Sequence, residues 1–393
     1  MRILFLAEAP SPYAREWAEH FASAFGHHVH FASLQAPRDS FRGVTFHPLA
    51  GAGARGSGRL GYLAALPAAR RLGRSINPDV TIAYRVTSYG VLGALAGLRP
   101  LVLAAQGQHI AYPPTSRLKR ALARYALRRA DLVLAWGAHM AGNMVRLGCE
   151  RAKIRTIAYG IDTVRYRPDP ARRHPGRPPR LLSTRAMRHD YNQELILRAI
   201  PDVAKEFPDV RWTAVGEGPD RARLLALGKV LDVAGHLDFP GRVSGEQLLA
   251  HLRDCDVYLS AVRTDGVSAS LLEAMACGGW PVVIDNEANR LWIRPGENGD
   301  LVAPDDPDAM ARAIVAALRG TERAAAAREE NRALVESRAS LTRNMAVIDG
   351  MIRALVGGGA ARVPPVPADL EVPPPEWRDR AAAGPKAREE GAA

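Results

Sequence analysis

The chain has 393 residues, enough for two domains of ordinary size. It is 47% hydrophobic and 24% charged, the composition of a soluble globular protein rather than a disordered or membrane-spanning one. The best apolar run, Val91 to Leu98, stops at Arg99, well short of the roughly 18 residues a membrane span needs. The start, M-R-I-L-F-L-A-E, reads as a first strand and not as a secretory segment. Cys149, Cys255 and Cys277 are odd in number and lack metal-type spacing, which points to a reducing cytoplasm. The net charge of +12 lies wholly in the first half: residues 1–165 hold 22 Lys+Arg against 8 Asp+Glu (22 − 8 = +14), and the rest 31 against 33 (31 − 33 = −2). A basic half fits an acidic partner such as a phospholipid surface, a lipid diphosphate or an anionic glycan; it also fits arginines that merely decorate solvated faces.

In chain order, 2–7, 28–33, 79–84, 100–106, 131–136 and 153–158 read as strands rich in Val, Ile and Leu. Helical stretches lie between them at 14–25, 60–74, 117–129 and 139–147. Such alternation gives an α/β fold with a parallel sheet covered on both faces and ligands at the carboxyl ends of its strands. In 117–129, Leu118, Leu122 and Tyr125 form an apolar stripe among six cations and no acid, either a membrane-surface helix or an ordinary sheet-covering one. Gly51 to Gly61 is glycine-rich but lacks the strand-then-helix context of a dinucleotide fingerprint, and reads as a loop.

Prolines crowd 166–179, D-P-A-R-R-H-P-G-R-P-P within it, and mark a linker. The first domain is thus 1–165 and the second 180–338. Within the second, strands fall near 180–184, 211–215, 234–239, 256–260, 281–284 and 300–302, with helices near 192–207, 220–227, 245–252 and 307–318. Helical character continues over 321–356. From 357 to 393 Pro, Ala, Gly and charge dominate, P-P-V-P and P-P-P-E-W included, and this reads as a disordered tail.

The densest chemistry is Asp265 to Pro281, D-G-V-S-A-S-L-L-E-A-M-A-C-G-G-W-P. A strand ends, the chain turns at Gly266, and a short helix begins near Ser268, Ala269 and Ser270, either serine a good N-cap. A helix N-terminus gathers unpaired N–H groups and about half a positive charge, which suits a phosphate. Asp265 and Glu273 flank that point with seven residues between them. A purely structural alternative is a capping box, Ser270-Leu271-Leu272-Glu273, in which Glu273 bonds back to the Ser270 backbone.

Acid-x7-Glu, then A-M-A-x-G, then P-V-V, resembles the signature of the retaining GT-B glycosyltransferases of family four, and other motifs occur in the same order. T-I-A-Y-G-I-D at 156–162 resembles their hinge-entry stretch, and the resemblance covers about 1–350. It implies a GT-B fold, two Rossmann-like doubly wound parallel-sheet domains facing a cleft, with a last helix over 339–356 returning to the first domain. It implies a nucleotide-diphosphate sugar as co-substrate, with neither cofactor nor essential metal. It further implies transfer of a hexose-type sugar, with retention, to a glycan or lipid-linked acceptor in cell-envelope polysaccharide or glycoconjugate synthesis. The expected setting is the cytoplasm, with the basic first domain at the inner face of the membrane, and nucleic acid is not an expected partner.

Residue by residue, the resemblance places Asp265 beside the donor sugar, where most members have Glu, and Glu273 on the ribose. Arg185 matches the cation on the diphosphate; the family's second cation, a Lys, is replaced here by Tyr191, leaving Arg188 or His189 as substitutes. Gly216, in V-G-E-G-P, matches a loop on the cleft wall, and Arg242 and Val243 fall where the backbone reads the base. Gln106, in Q-G-Q-H, stands where the family often has His, with His109 in place of its Asp. Asp254-Cys255-Asp256 and Asp306-Pro307-Asp308 look like metal motifs, yet both read as helix boundaries. Two rival functions share this architecture: a non-catalytic sugar-nucleotide-binding subunit of an envelope assembly, and a hydrolysing sugar-nucleotide epimerase.

Overall fold

The computed structural model describes residues 1–49, 59–105, 116–169, 171 and 176–372. The chain divides into two compact units, Met1–Ala158 with Thr342–Glu371, and Tyr159–Leu341. The glycine-rich stretch up to 58, Gln106 and His109 lie outside the described residues.

The first unit carries a seven-stranded parallel sheet: β1 Arg2–Leu6, β2 His28–Ser33, β3 Val44–Pro48, β4 Val80–Tyr84, β5 Leu101–Ala105, β6 Leu132–Ala135 and β7 Ile154–Thr156, in the order β3-β2-β1-β4-β5-β6-β7. Every residue of β4, β5 and β6 is buried, because helices cover both faces of a parallel sheet and each side chain meets a packed layer. The edge strand β3 has no counterpart in the sequence reading. Its V-T-F-H-P is only half-buried and mixes polar residues with proline, so it lacks the apolar run that marks its neighbours.

In the second unit, β8 Arg180–Ser183, β9 Arg211–Val215, β10 Leu237–Gly241, β11 Val257–Ser260, β12 Trp280–Ile284 and β13 Asp300–Val302 form a parallel sheet in the order β10-β9-β8-β11-β12-β13. Ile196, Ile200, Trp212, Ile284 and Ile314 join the helices Gln193–Glu206 and Pro307–Arg319 to this sheet in one core. In each sheet the strand order reverses beside the first strand, between β1 and β4 and between β8 and β11. At such a switch point the loops leave to opposite faces and open a crevice at the carboxyl ends of the strands.

The basic helix Arg117–Arg129 does not pack through the stripe its larger apolar residues suggest. Ala123, Ala126 and Leu127 are buried, whereas Leu118 is 57% and Tyr125 36% exposed. Small side chains let this helix pack closely on the helix Val91–Ala96 and the turn Arg85–Gly90, while Leu118 and Tyr125 face water among the cations, with Arg129 5.8 Å over the Tyr125 ring. Among the described residues no helix is long and apolar enough to cross a membrane.

The last helix, Leu341–Gly358, belongs to the first unit. It buries Met345, Ile348, Met351 and Ile352, and its Asp349 bonds His27 and Arg353, each at 2.6 Å. The segment after it departs from the disordered tail expected from composition. Residues 359–372 follow a path with short 3-10 turns at Ala360–Arg362 and Ala368–Leu370 and bury Val363 and Leu370. Arg155 donates to the carbonyls of Val363 (2.6 Å) and Pro364 (2.7 Å), and Arg343 pairs with Asp369. Prolines forbid helix here but not an extended path docked through two apolar anchors. Residues 373–393 lie outside the described residues. Leu370→Ala is expected to destabilise the first unit by about 2–5 kcal/mol, the cost of a buried leucine truncation. Urea titration followed by tryptophan fluorescence measures it; an unchanged midpoint would mean the segment is not docked.

Candidate functional site

The switch point of the second sheet gathers most of the residues singled out from the sequence. Arg185 follows β8, Asp265 follows β11, and the helix Ala269–Ala276 starts just beyond. Arg185 Nη2 donates to the Asp265 carboxylate and, at 2.8 Å, to Ser268 Oγ. The two charged side chains are 14% and 13% exposed, so each is the counter-ion that makes burial of the other tolerable. Asp265 Oδ1 also accepts from the Gly266 N–H at 2.8 Å. Gln193 Nε2 donates to the Arg185 carbonyl at 3.0 Å and fixes the backbone beneath the guanidinium.

Helix capping bears on the structural alternative for Glu273. The N-cap is Ser268, whose Oγ accepts from the Leu271 N–H at 3.1 Å. Ser270 lies inside the helix, so a capping box from Ser270 to Glu273 does not form. Glu273 is on the second turn and buried, at 9% exposure. A carboxylate there needs a reason other than helix initiation.

Tyr191 stacks under the cation: the Arg185 guanidinium lies 5.5 Å and that of Arg188 5.8 Å from its ring centroid. Arg188 is exposed and tied at 3.0 Å to both oxygens of Asp190. Gly216 and Gly218 press against the Arg185 loop. Gly216 has φ +146°, and a Cβ on it would lie 2.8 Å from the Arg185 carbonyl oxygen; one on Gly218 would lie 2.1 Å from that of Met187. The Gly216 N–H donates to the Gly241 carbonyl at 2.9 Å, which brings the end of β10, with Arg242 exposed and Val243 half-buried, to the same loop.

Tyr258 is a member of this group that the sequence reading missed. It is fully buried, and its hydroxyl bonds Thr184 Oγ1 at 3.3 Å and also Ser270. Burial raises its pKa, against the pull of Arg185 and the Thr184 bond, while Glu273 adds to the rise, so the phenol stays protonated. The available signal was a tyrosine in the apolar run D-V-Y-L-S, whose hydroxyl must find a partner. The metal-like motifs are structurally engaged: Asp256 is paired with Arg177, and Asp306 caps its helix through the Ala309 N–H at 2.8 Å. Among the described residues no three His, Cys, Asp or Glu side chains converge as a metal site.

Two parallel-sheet α/β units, each reversing its strand order beside its first strand, define the GT-B fold. A model of glycosyl transferases group 1 matches residues 168–334, and one described as glycosyl transferase 4-like matches residues 2–136. The two matches, one in each unit, support a GT-B group 1 glycosyltransferase. It is 29% identical over 256 residues to the GDP-mannose-dependent alpha-(1-6)-phosphatidylinositol monomannoside mannosyltransferase of Mycolicibacterium smegmatis, covering 60% of this chain and 65% of that protein. It is 27% identical over 195 residues to the putative colanic acid biosynthesis glycosyltransferase WcaL of Escherichia coli, covering 48% of each. The matches thus span less than two thirds of these relatives' own length. Anabaena HepE, crystallised with UDP-glucose, superposes with a TM-score of 0.75 at 18% identity, over 90% of this chain and 100% of that one.

The glycine contacts give a direct test of the site's packing. Gly218→Ala should destabilise the second unit by roughly 1–3 kcal/mol, the cost of overpacking. Gly235→Ala, where a Cβ meets nothing within 4 Å, should stay within about 0.5 kcal/mol of the parent. Equal melting temperatures for the two variants would show that the loop does not rest on the Arg185 segment.

Proposed function

We propose that the protein transfers a hexose-type sugar from a nucleotide-diphosphate donor to a glycan or lipid-linked acceptor, with retention and without an essential metal, in envelope polysaccharide or glycoconjugate synthesis. The observation that carries this reading is the Arg185–Asp265–Ser268 cluster at the second switch point, beside a helix N-terminus. Charge grows on the diphosphate as the glycosidic bond breaks. Arg185 and the N–H groups at Ser268, Ala269 and Ser270 meet that charge, and a fixed array of donors costs no reorganisation as it develops. Incoming phosphate competes with Asp265 for Arg185, and Asp265 is released toward the donor sugar. Glu273 holds the ribose, Arg242 and Val243 the base, and Gly216 leaves room for the donor. Gln106, carried over from the family resemblance, is a further candidate for contact with the donor sugar. Mannosyl and colanic-acid enzymes among the relatives, and a neighbour bound to UDP-glucose, support a nucleotide sugar as donor.

Arg185→Ala is expected to lower kcat by the equivalent of 2.7–4 kcal/mol, on the order of one lost transition-state donor, with a smaller effect on nucleotide affinity. A raised KM with intact kcat would remove Arg185 from this role. Glu273→Gln should weaken the nucleoside diphosphate and the whole donor alike, whereas Asp265→Asn should leave diphosphate affinity nearly unchanged while transfer collapses. Calorimetry with both ligands and one transfer assay separate these outcomes. Transfer should survive EDTA, and a protein that binds donor without consuming it would be the non-catalytic subunit instead.

The first unit docks on anionic membrane in this reading. Charge complementarity supports it, since the helix Arg117–Arg129 exposes Leu118 and Tyr125 amid six cations. Screening shortens the Debye length from about 10 Å at 0.1 M salt to about 3 Å at 1 M, so co-sedimentation with anionic vesicles should fall steeply over that range. Equal recovery with neutral vesicles would contradict it.

A further inference from the structure

The edge of the first sheet carries a histidine cluster that the donor chemistry does not use. β2 begins His28-Val29-His30, and because side chains alternate along a strand, His28 and His30 stand on one face of the sheet. In the parallel register His30 lies opposite Thr45 and Ala32 opposite His47, which puts His47 of β3 on the same face, one diagonal step from His30. The two rings meet: His30 Nδ1 is 3.0 Å from His47 Nε2, with ring centroids 5.2 Å apart. Both are half-buried, and His28 beside them is exposed. Arg2 is in register with His28 but turns its guanidinium to the Ile76 carbonyl at 3.1 Å and toward Asp79. β3 itself, V-T-F-H-P, is a weak strand joined to the sheet through β2.

We infer that His30 and His47, with His28 as third ligand, bind a transition-metal ion of the Zn²⁺, Ni²⁺ or Cu²⁺ class, which clips the edge strand β3 to β2. On a tetrahedral metal with bonds of about 2.0–2.1 Å, two imidazole nitrogens lie about 3.3 Å apart, so the pair has only to open by about 0.3 Å. A hydrogen bond between two rings already points one bare lone pair at the gap. The donor ring offers its own once its proton sits on the other nitrogen, a change of tautomer that releases no proton when both rings are neutral. Burial lowers the pKa of both, with His28 and Arg2 adding to the effect at His30 and His30 at His47, so neutral rings prevail at pH 7. His28 does not converge with the pair; exposed, it joins by rotation about its side-chain bonds. Imidazole nitrogen suits these metals, whereas Mg²⁺ and Ca²⁺ take oxygen ligands. The β2 and β3 residues of this face, His28, His30, Ala32, Thr45 and His47, include no carboxylate for such a hard ion. The ion acts on the sheet edge, and no step of sugar transfer runs through it.

Calorimetry and thermal melts of the full chain, stripped with EDTA and dialysed, test this with Zn²⁺ and Ni²⁺, and with Mg²⁺ as control. Wild type should bind one equivalent of Zn²⁺ or Ni²⁺ and melt at a higher temperature, while Mg²⁺ leaves the melt unmoved. His28→Gln, His30→Gln and His47→Gln should each weaken that binding at least about tenfold, since removing even a group that only supports a ligand costs roughly 10–100-fold. His251→Gln, at a histidine of the second unit, should leave it unchanged. Electron paramagnetic resonance of the wild type with one equivalent of Cu²⁺ counts bound imidazoles without any substitution, and it decides the question if a variant fails to fold. Two or more imidazole nitrogens on one copper are expected. No binding beyond the Mg²⁺ control, equal affinity in all folded variants, or a copper spectrum with fewer than two imidazoles would overturn the inference. Sugar transfer that fails in the stripped protein and returns with metal would instead contradict the metal-free transfer proposed above, and leaves the histidine site to stand on its own titrations.

Discussion

A buried guanidinium must be matched by negative charge, and in this protein the match at Arg185 organises the second unit. Removing either partner strands the other in a poorly solvated place, a loss that exceeds the net value of the pair. Asp265 supplies the match, Ser268 ties the cation to the start of a helix, and Gln193 pins the backbone from below. Three elements, the ends of β8 and β11 and the helix Ala269–Ala276, are thereby held at one point.

The two sheets use the same device in opposite hands. In the second unit the arginine follows the first strand and the acid the strand across the switch point; in the first unit Glu8 follows β1 and Arg85 follows β4. Parallel topology explains why both pairs lie where they do, since all strands deliver their carboxyl ends to one edge and only the switch point opens a crevice there. The difference lies in solvation. Arg185 and Asp265 are 14% and 13% exposed against 38% and 24% for Arg85 and Glu8.

Alternating Val/Ile/Leu runs and helical stretches were sufficient to read the α/β class and its parallel sheets, because buried strands of that kind are locally distinctive. Contacts distant in sequence were not legible. Glu8 and Arg85 are 77 residues apart, and each is by itself an ordinary charged residue. Tyr258 was hidden inside an apolar strand. The choice of Ser268 over Ser270 as N-cap depends on where the chain leaves Gly266, which propensity alone does not fix, since both serines cap well. The stripe on Arg117–Arg129 misleads because bulk ranks above fit in a periodicity argument, while the buried contact uses Ala123, Ala126 and Leu127. Composition likewise makes 359–372 look unstructured, although two buried anchors and the Arg155 bonds order it.

In the proposed function, Arg185 exchanges its internal partner for the donor's diphosphate. A crystal structure of the full chain with a nucleoside diphosphate tests it most directly. The phosphates are expected at the N–H groups of Ser268 to Ser270, the Arg185 guanidinium turned onto them and away from Asp265, and the ribose hydroxyls on Glu273. A nucleotide bound elsewhere, or one bound there with the Arg185–Asp265 pair unbroken and Glu273 untouched, would contradict it.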